Sequence, residues 1–193
     1  MARDAGRVEV IAGPMFAGKT EELLRRVRRA SIAGQRVVVF SHALDTRSGT
    51  DRVASHAGLD APARPVASAA EIADAVDADS VDLVAIDEAH FFGPPLVDAV
   101  RRLADRGLLV IVAGLDVTFT GEPFEPMPSL MALAERVDKL TSICAVCGAE
   151  AIYHTRVADA DAGDPTLITE NVGGPETYQA RCRRHFVAEP RSR

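Results

Sequence analysis

A single octet, Gly13 to Thr20, constrains the fold of this chain more than any other stretch. It matches the P-loop pattern, in which two glycines separated by four residues are followed by a lysine and a hydroxyl residue. In such a loop the backbone N–H groups surround nucleotide phosphates, the lysine reaches the β- and γ-phosphates, and the hydroxyl binds Mg²⁺. The residues predicted to bind ATP here are Gly13, Pro14, Met15, Phe16, Ala17, Gly18, Lys19 and Thr20.

The flanks of the octet have the order that a phosphate-binding loop requires. Val8 to Ala12 is a short β-branched run, and Glu21 to Ala33 permits a helix. Strand, loop and helix therefore follow one another, which would place the phosphates at the N-terminus of the helix. An ordinary glycine-rich turn is the alternative, and this flanking pattern disfavours it.

Strand-like and helix-like segments alternate along most of the chain. Gly34 after the first helix is typical of a helix stop, and Ser68 with Glu71 forms a capping box at the start of another helix. The alternation predicts an α/β fold with a parallel sheet flanked by helices. The predicted strands are 35–40, 65–66, 81–86 and 108–113, the predicted helices are 69–76, 94–106 and 130–137, and 118–129 is predicted to be a loop.

The pattern changes near Leu140, because no further strand–helix unit follows Cys144. We expect an ATP-binding domain over residues 1–140 and a small lobe of hairpins over 141–193, with a mobile loop at 158–174. A chain of 193 residues holds one α/β core and one small appendage, but hardly two full catalytic domains.

The formal net charge of -6 argues against a protein that grips nucleic acid or anionic lipid through a diffuse basic face. No apolar run approaches the ~20 residues that span a bilayer, and the first residues lack the apolar segment of a signal peptide. We therefore expect a cytoplasmic protein with neither a nucleic-acid nor a membrane partner. Small anionic ligands stay possible, because a P-loop binds phosphate locally.

Two carboxylates follow the strand predicted at 81–86. Asp87 stands where a P-loop protein places a second carboxylate toward Mg²⁺, and Glu88 is next to it. A carboxylate near the γ-phosphate can accept a proton from an attacking hydroxyl or water. The alternative for Asp87 is a strand-terminal residue that caps the next helix.

All three cysteines lie in the C-terminal part, in two half-sites. Cys144 and Cys147 form one pair, and Cys182 and His185 form the other, each with two residues between its members. This spacing predicts a Cys₃His zinc site without an open position, so the metal would be structural. A disulfide is the weaker reading, because the cysteine count is odd and the expected compartment is reducing. His42, His56 and His154 have no metal spacing, and we expect them in loops or at the surface.

Arg47 follows the second strand, at the same sheet edge as the P-loop if the sheet is parallel. An arginine there could stabilise charge that develops during phosphoryl transfer, and an exposed turn is the alternative. Phe119, Phe124 and Tyr178 lie in segments without a helix or strand period. They could cover the core or hold a flat base between them.

The ordered set of motifs resembles the type II thymidine kinases, over Val8 to Phe186. The motifs that carry this resemblance are the P-loop octet, Asp45-Thr46-Arg47, Asp87-Glu88-Ala89-His90-Phe91-Phe92, Gly114 to Phe119, Gly121 to Phe124, the cysteine pair, and Gly173 to Tyr178 before Cys182-Arg183-Arg184-His185. The resemblance implies transfer of the ATP γ-phosphate to the 5′-hydroxyl of thymidine. It also implies a recombinase-like P-loop core with a zinc-containing lobe and a homotetramer.

The resemblance also assigns roles by position. Glu88 would be the general base and Arg47 a transition-state or phosphate contact. The residues on the ATP and magnesium side, beyond the P-loop, would be Asp45, Asp87, Glu88, Ala89 and His90. The thymidine pocket would use Met15, Leu115, Phe119, Phe124 and Tyr178, with the segment Thr169, Glu170, Asn171, Val172 and Gly173 binding the edge of the base through its backbone.

Four positions depart from the usual family pattern. His90 stands where the family usually has Gln, Ala17 where it has Ser, and Ser48 where it has an aromatic residue; Thr118-Phe119-Thr120 replaces the Asp-Phe-Arg of many bacterial members. His90 lies beside the predicted base, so this departure bears on the pH dependence of the reaction.

Two other functions fit parts of the pattern. Asp87-Glu88-Ala89-His90 spells the box of one group of helicases, but a helicase motor needs two such lobes and this chain has room for one. A nucleotide-binding zinc protein without catalytic activity is the other alternative. A nucleoside acceptor for ATP distinguishes the kinase from both.

Overall fold

A computed structural model describes residues 6–44, 52–55, 58–76, 80–157 and 177–187. We number the elements in chain order. The strands are β1 (Arg7–Gly13), β2 (Val37–His42), β3 (Arg52–Ala54), β4 (Asp60–Pro62), β5 (Arg64–Val66), β6 (Leu83–Ile86), β7 (Leu109–Leu115), β8 (Arg136–Lys139), β9 (Ser142–Ile143), β10 (Glu150–Ala151), β11 (Tyr153–Arg156) and β12 (Tyr178–Arg181). The helices are α1 (Lys19–Ile32), α2 (Ala69–Ala75), α3 (Pro95–Asp105) and α4 (Met127–Leu133), and a 3₁₀ turn covers Ala89–Phe92.

Within the described residues, six parallel strands form the central sheet in the order β5-β2-β6-β7-β1-β8. Alternate side chains of the strands face opposite sides, so each face of the sheet has its own core. One core holds Val10, Val112 and residues of α2, α3 and α4, and the other holds Ile11, Ala113 and residues of α1. The predicted fold class, a parallel sheet flanked by helices, is confirmed.

Local signals in the sequence account for the helix ends. The Ser68 side chain accepts a hydrogen bond from the Glu71 N–H, as the predicted capping box requires. The return bonds to the Glu71 carboxylate come from the Ser68 hydroxyl and from the Ala67 N–H, one residue before the N-cap. Helix α1 stops before Gly34, which has a φ of 79°. Glycine adopts this left-handed conformation without steric cost.

The predicted helix over 130–137 is wrong at both ends. The helix is α4, which begins at Met127 inside the predicted loop and ends at Leu133, because Ala134 is extended with a ψ of 139°. Pro126 and Pro128 flank the start, where a missing N–H costs nothing. Residues 136–139 instead form β8, which pairs in parallel with β1. Pairing with a distant strand outweighs the local helix preference there.

Outside the main sheet, the described residues form three small antiparallel pairs. Strands β3 and β4 make a hairpin whose Val53 packs in the α1-side core. Strand β9 pairs with β10, and β11 pairs with β12. The last two pairs make up the C-terminal lobe that follows β8.

A buried ion network attaches the edge strand β8 to the rest of the sheet. The Arg26 guanidinium of α1 donates to Glu9 of β1 at 2.6 Å, to Glu22 at 2.8 Å and to Asp138 of β8 at 2.5 Å. Arg7 also contacts Glu9. A buried guanidinium requires such partners, because an unpaired charge in the interior is costly.

We expect this network to make stability depend on acid pH. Hydrogen bonds from Arg25 and Arg26 lower the pKa of Glu22 to about 2 against the opposing effect of burial, and Arg26 lowers the pKa of Asp138. Because both pKa values are lower in the folded state, the stabilisation is complete above the ordinary values of 4.5 and 3.8. It is lost as the pH falls from there toward 2.

Arg26→Met should lower the free energy of unfolding at neutral pH by about 1–3 kcal/mol, since it removes the hydrogen bonds of Arg26 to three carboxylates but leaves each of them a second arginine, Arg7, Arg25 or Arg136. It should also flatten the loss of stability below pH 4.5. Urea titrations between pH 2 and 7 measure both effects. Arg101→Met is the matched control, because Arg101 makes an exposed pair with Asp98, worth less than about 1 kcal/mol. An acid dependence as steep in Arg26→Met as in the parent chain would contradict the assignment.

Candidate active site

The predicted P-loop connects β1 to α1 with two residues in the left-handed region. Phe16 has a φ of 65° and Gly18 a φ of 81°. The Lys19 ammonium lies at the first turn of α1 and donates to the Pro14 carbonyl at 2.8 Å, across the mouth of the loop. The octet thus forms a closed turn at the N-terminus of a helix, the geometry that binds phosphate through backbone N–H groups.

Thr20 and Asp87 meet at the carboxyl edge of the sheet. The Thr20 hydroxyl donates to a carboxylate oxygen of Asp87 at 3.0 Å, although β1 and β6 are separated by β7 in the sheet. Adjacent oxygen ligands of an octahedral Mg²⁺ with bonds of about 2.1 Å lie about 3.0 Å apart. The spacing of the hydrogen-bonded pair is therefore compatible with two adjacent Mg²⁺ ligands, and a hydroxyl and a carboxylate are oxygen donors of the type that Mg²⁺ prefers.

Glu88 follows Asp87 in a left-handed conformation, with a φ of 49°. This conformation starts the 3₁₀ turn, and the Glu88 side chain is 12 % exposed. The carboxylate thus stands at the same sheet edge as Thr20 and Asp87 with little access to solvent. Non-glycine residues in this region of backbone space concentrate at functional sites.

His90 lies behind Glu88 in the core. Its Nδ1 accepts a hydrogen bond from the Leu115 N–H at 3.2 Å and lies 3.7 Å from the Glu88 carboxylate. An accepting Nδ1 assigns the neutral tautomer with its proton on Nε2. The ring also packs against Phe124, with centroids 5.0 Å apart. Ala89 beside it is fully buried in the core.

The hydrogen bond to Leu115 leads to a test of His90 that needs no substrate. His90→Leu should lower the free energy of unfolding by about 1–3 kcal/mol, because it leaves a buried N–H without an acceptor. His90→Gln should cost less, since an amide oxygen can accept the same bond. Denaturant titrations of the two variants measure the difference. Equal losses would show that the hydrogen bond is not what holds this turn.

The residues predicted to line a base pocket come together. Met15 of the P-loop, Leu115 of β7, Phe119 and Tyr178 of β12 form one buried apolar cluster, with the partly buried Phe124 packed against it. Arg156 of β11 lies over the Phe119 ring, 6.0 Å from its centroid. This cluster stands next to the phosphate loop, because Met15 belongs to both.

The four predicted metal ligands also converge. One ligand atom from each of Cys144, Cys147, Cys182 and His185 lies within 4.8 Å of the others. The Cys147–Cys182 sulfur distance is 3.8 Å, and His185 Nδ1 lies 3.4 Å and 3.8 Å from the sulfurs of Cys182 and Cys144. Tetrahedral zinc with Zn–S bonds of about 2.3 Å separates two sulfurs by about 3.8 Å. The Cys₃His group therefore fits zinc.

The electrostatics of Cys144 suit a metal thiolate. Burial opposes the charged form, but backbone N–H groups of Cys182, Val146 and Cys147 lower the pKa of the Cys144 thiol to about 5. Such N–H groups around a sulfur stabilise the thiolate, which is the form that binds zinc. The cysteines are not joined by disulfides.

Comparison with known proteins agrees with this arrangement of motifs. The family described as thymidine kinase matches the chain over residues 6–186. The chain belongs to the thymidine kinase family. The motifs that first suggested the family all fall within the matched range.

Among solved structures, the genome packaging NTPase of Sulfolobus turreted icosahedral virus 2 is similar to this family member. The form in complex with ATP-gammaS is 12% identical, with a TM-score of 0.45, over 73% of this chain and 76% of that one. The form in complex with sulfate is 13% identical, with a TM-score of 0.48, over 73% of this chain and 75% of that one.

In the part of the chain that the structure describes, no helix has the length and apolar character to cross a membrane.

Several predicted site residues lie outside the described residues. These are Asp45, Arg47 and the segment Thr169 to Gly173. His56, expected in a loop or at the surface, and the loop predicted at 158–174 also lie outside the described residues. The structure therefore describes the P-loop, the two carboxylates, the apolar cluster and the metal ligands of this thymidine kinase family member.

Two histidines expected in loops or at the surface are buried instead. His42 ends β2 and packs edge-on against Phe92 at 4.6 Å, and His154 of β11 packs against Tyr178 at 5.8 Å. The sequence did not indicate their burial, because packing against distant aromatic rings leaves no pattern along the chain. Phe91, which the sequence named only as part of a family motif, has its ring 4.3 Å from the His90 ring.

Proposed function

We propose that this chain transfers the γ-phosphate of ATP to the 5′-hydroxyl of thymidine and forms thymidine monophosphate and ADP. The observation that carries the proposal is that Met15 belongs both to the phosphate loop and to the buried aromatic cluster. A phosphate donor in the loop and a flat base in the cluster would then be neighbours. Family membership supports the same reaction.

The P-loop would hold the triphosphate, with Lys19 exchanging its bond to the Pro14 carbonyl for phosphate oxygens. Thr20 and Asp87 would hold Mg²⁺, which, when bound, neutralises charge on the phosphates. Arg47 and Asp45 stay proposed contacts on this side. Phosphoryl transfer depends mainly on such positioning and charge stabilisation.

Glu88 would act as the general base toward the acceptor. The 5′-oxygen forms a bond to the γ-phosphorus, the bond from that phosphorus to the β-phosphate oxygen breaks, and the hydroxyl proton passes to the Glu88 carboxylate. ADP leaves with the electron pair of the broken bond. The low exposure of Glu88 keeps bulk water away from the proton transfer.

The pocket would hold thymine between apolar and aromatic side chains. Leu115, Phe119, Phe124 and Tyr178 offer faces and edges to a planar ring without a charged partner. The backbone of Thr169 to Gly173 is proposed to bind the polar edge of the base. The homotetramer and the cytoplasmic location that the family resemblance implies stay predictions.

A nucleoside screen tests this function. The chain is incubated with ATP, Mg²⁺ and one of the common nucleosides, DNA or RNA, and ADP formation is followed. We expect ADP only with thymidine or a close pyrimidine analogue. ADP formation that depends on DNA or RNA and ignores nucleosides would support the ATPase alternative and contradict the kinase.

A further inference from the structure

A hydrogen bond joins the C-terminal lobe to the backbone of the P-loop. The buried Ser142, the first residue of β9, donates from its Oγ to the Phe16 carbonyl oxygen at 3.3 Å. We propose that Ser142 is a positioning residue that holds the Phe16–Ala17 peptide in its phosphate-binding orientation.

The Phe16 backbone needs support of this kind. Phe16 and Glu88 are the non-glycine residues with positive φ in the described part of the chain. A side chain at positive φ is strained, and such a conformation persists only where surrounding groups hold it. Phe16 as a residue is 37% exposed and belongs to no core cluster, so burial of its side chain is not the main support. The hydrogen bond from Ser142 acts directly on the strained peptide.

Peptide geometry connects this bond to phosphate binding. The Phe16 carbonyl and the Ala17 N–H belong to one planar trans peptide, so they point in opposite directions. A carbonyl held toward Ser142 therefore directs the Ala17 N–H away from β9. That N–H is one of the loop donors that would bind a phosphate oxygen.

The segment that carries Ser142 is fixed against the loop. The Leu140 N–H donates to the Ala12 carbonyl at 2.8 Å, and a Cβ added to Gly13 would lie 2.6 Å from the Leu140 oxygen. Only glycine permits this close approach at position 13. Two residues beyond Ser142, Cys144 belongs to the Cys₃His group that fits zinc. The Cys₃His group thus anchors the strand from which Ser142 reaches the P-loop.

The inference rests on the ATP-binding half of the proposed function, and direct binding tests it. The measurement is the dissociation constant of ATP with Mg²⁺ for the zinc-loaded protein, by calorimetry, with adenosine as the comparison ligand. Ser142→Ala should weaken ATP binding about three- to tenfold, the range for one neutral hydrogen bond. Adenosine binding should not change, because adenosine lacks the phosphates. In steady state, the KM for ATP should rise and the KM for thymidine should stay the same.

Two further variants make the result specific. Ser142→Thr retains the hydroxyl and should restore ATP affinity, and Thr141→Ala, at the exposed neighbour, should leave it unchanged. The ratio of ATP to adenosine affinity within one preparation does not depend on the fraction of folded protein. An unchanged ratio in Ser142→Ala, or equal rises in both KM values, would overturn the inference. A parent chain that binds no ATP would instead defeat the proposed function itself.

Discussion

Glu88→Gln is expected to lower thymidine-dependent turnover by about 10²–10⁴-fold, the contribution typical of a general base. Glutamine keeps the size of the side chain and its contacts at the start of the 3₁₀ turn, but its amide accepts no proton at neutral pH. Steady-state rates with saturating ATP and thymidine measure the loss. Because Glu88 would accept the hydroxyl proton during phosphoryl transfer, kcat should fall far more than the affinity for either substrate.

Measurements of folding and of ATP binding distinguish the loss of the general base from damage to the whole site. The Glu88→Gln variant should bind ATP with the parent's dissociation constant and unfold at a similar temperature. Glu150→Gln, at an exposed position on β10, is the matched control and should keep full activity. A Glu88→Gln protein with parental kcat would reject Glu88 as the base and leave the Thr20–Asp87 pair without a catalytic partner.

Removal of zinc is expected to unfold the C-terminal lobe while the central sheet persists. Structural zinc sites contribute about 10–16 kcal/mol of apparent binding free energy, more than the net stability of most domains. The lobe contains four short strands and a small core around Cys144 and Cys182. Without the metal, that core is too small to order the lobe.

The loss of order in the C-terminal lobe should extend to the proposed base pocket through two connections. The first connection is along the chain: Cys182 directly follows β12, which carries Tyr178. The second is a contact of Phe186, the residue after His185, with Gly121. The approach is so close that a Cβ added to Gly121 would lie 2.7 Å from the Phe186 ring. Gly121 belongs to the turn between Phe119 and Phe124. The Cys₃His group is thereby connected to the aromatic cluster from two sides.

Hydrogen exchange after chelation tests this account. Amides of 142–157 and 178–187 should lose protection, while those of β1, β6 and β7 should keep most of theirs. Metal analysis should find one zinc per chain in the active protein, and added zinc should restore both protection and thymidine binding. A purified, active protein without zinc would contradict the structural role of the Cys₃His group.

The parts of the site that depend on short stretches of sequence could be predicted. The P-loop, the Asp87–Glu88 pair and the four metal ligands each follow from residue types at fixed spacing, and the structure brings each group together. The apolar cluster around Met15 and Tyr178 is different, because its members are far apart in the chain. The residues alone suggested that Phe119, Phe124 and Tyr178 cover the core or hold a base, and only the family resemblance joined them with Met15 and Leu115.

Features that depend on contacts between residues far apart in the chain could not be predicted from the sequence. Strand β8 has a helix-permissive sequence and becomes a strand because β1 offers a parallel partner and Arg26 binds Asp138. Nothing in the sequence indicated that Glu9 is buried and paired with Arg26. His42 and His154 are buried by aromatic neighbours, which a search for metal spacing cannot detect. In each case the deciding contact lies in tertiary structure.

The position of the transferred phosphate tests the central claim most directly. The chain is incubated with ATP that carries a labelled γ-phosphate and with thymidine, 3′-deoxythymidine or 5′-deoxythymidine, and the nucleoside products are separated. If Glu88 activates the 5′-hydroxyl of a bound thymidine, thymidine and 3′-deoxythymidine gain the label and 5′-deoxythymidine does not. Label on 5′-deoxythymidine, or label released only as inorganic phosphate, would contradict the account.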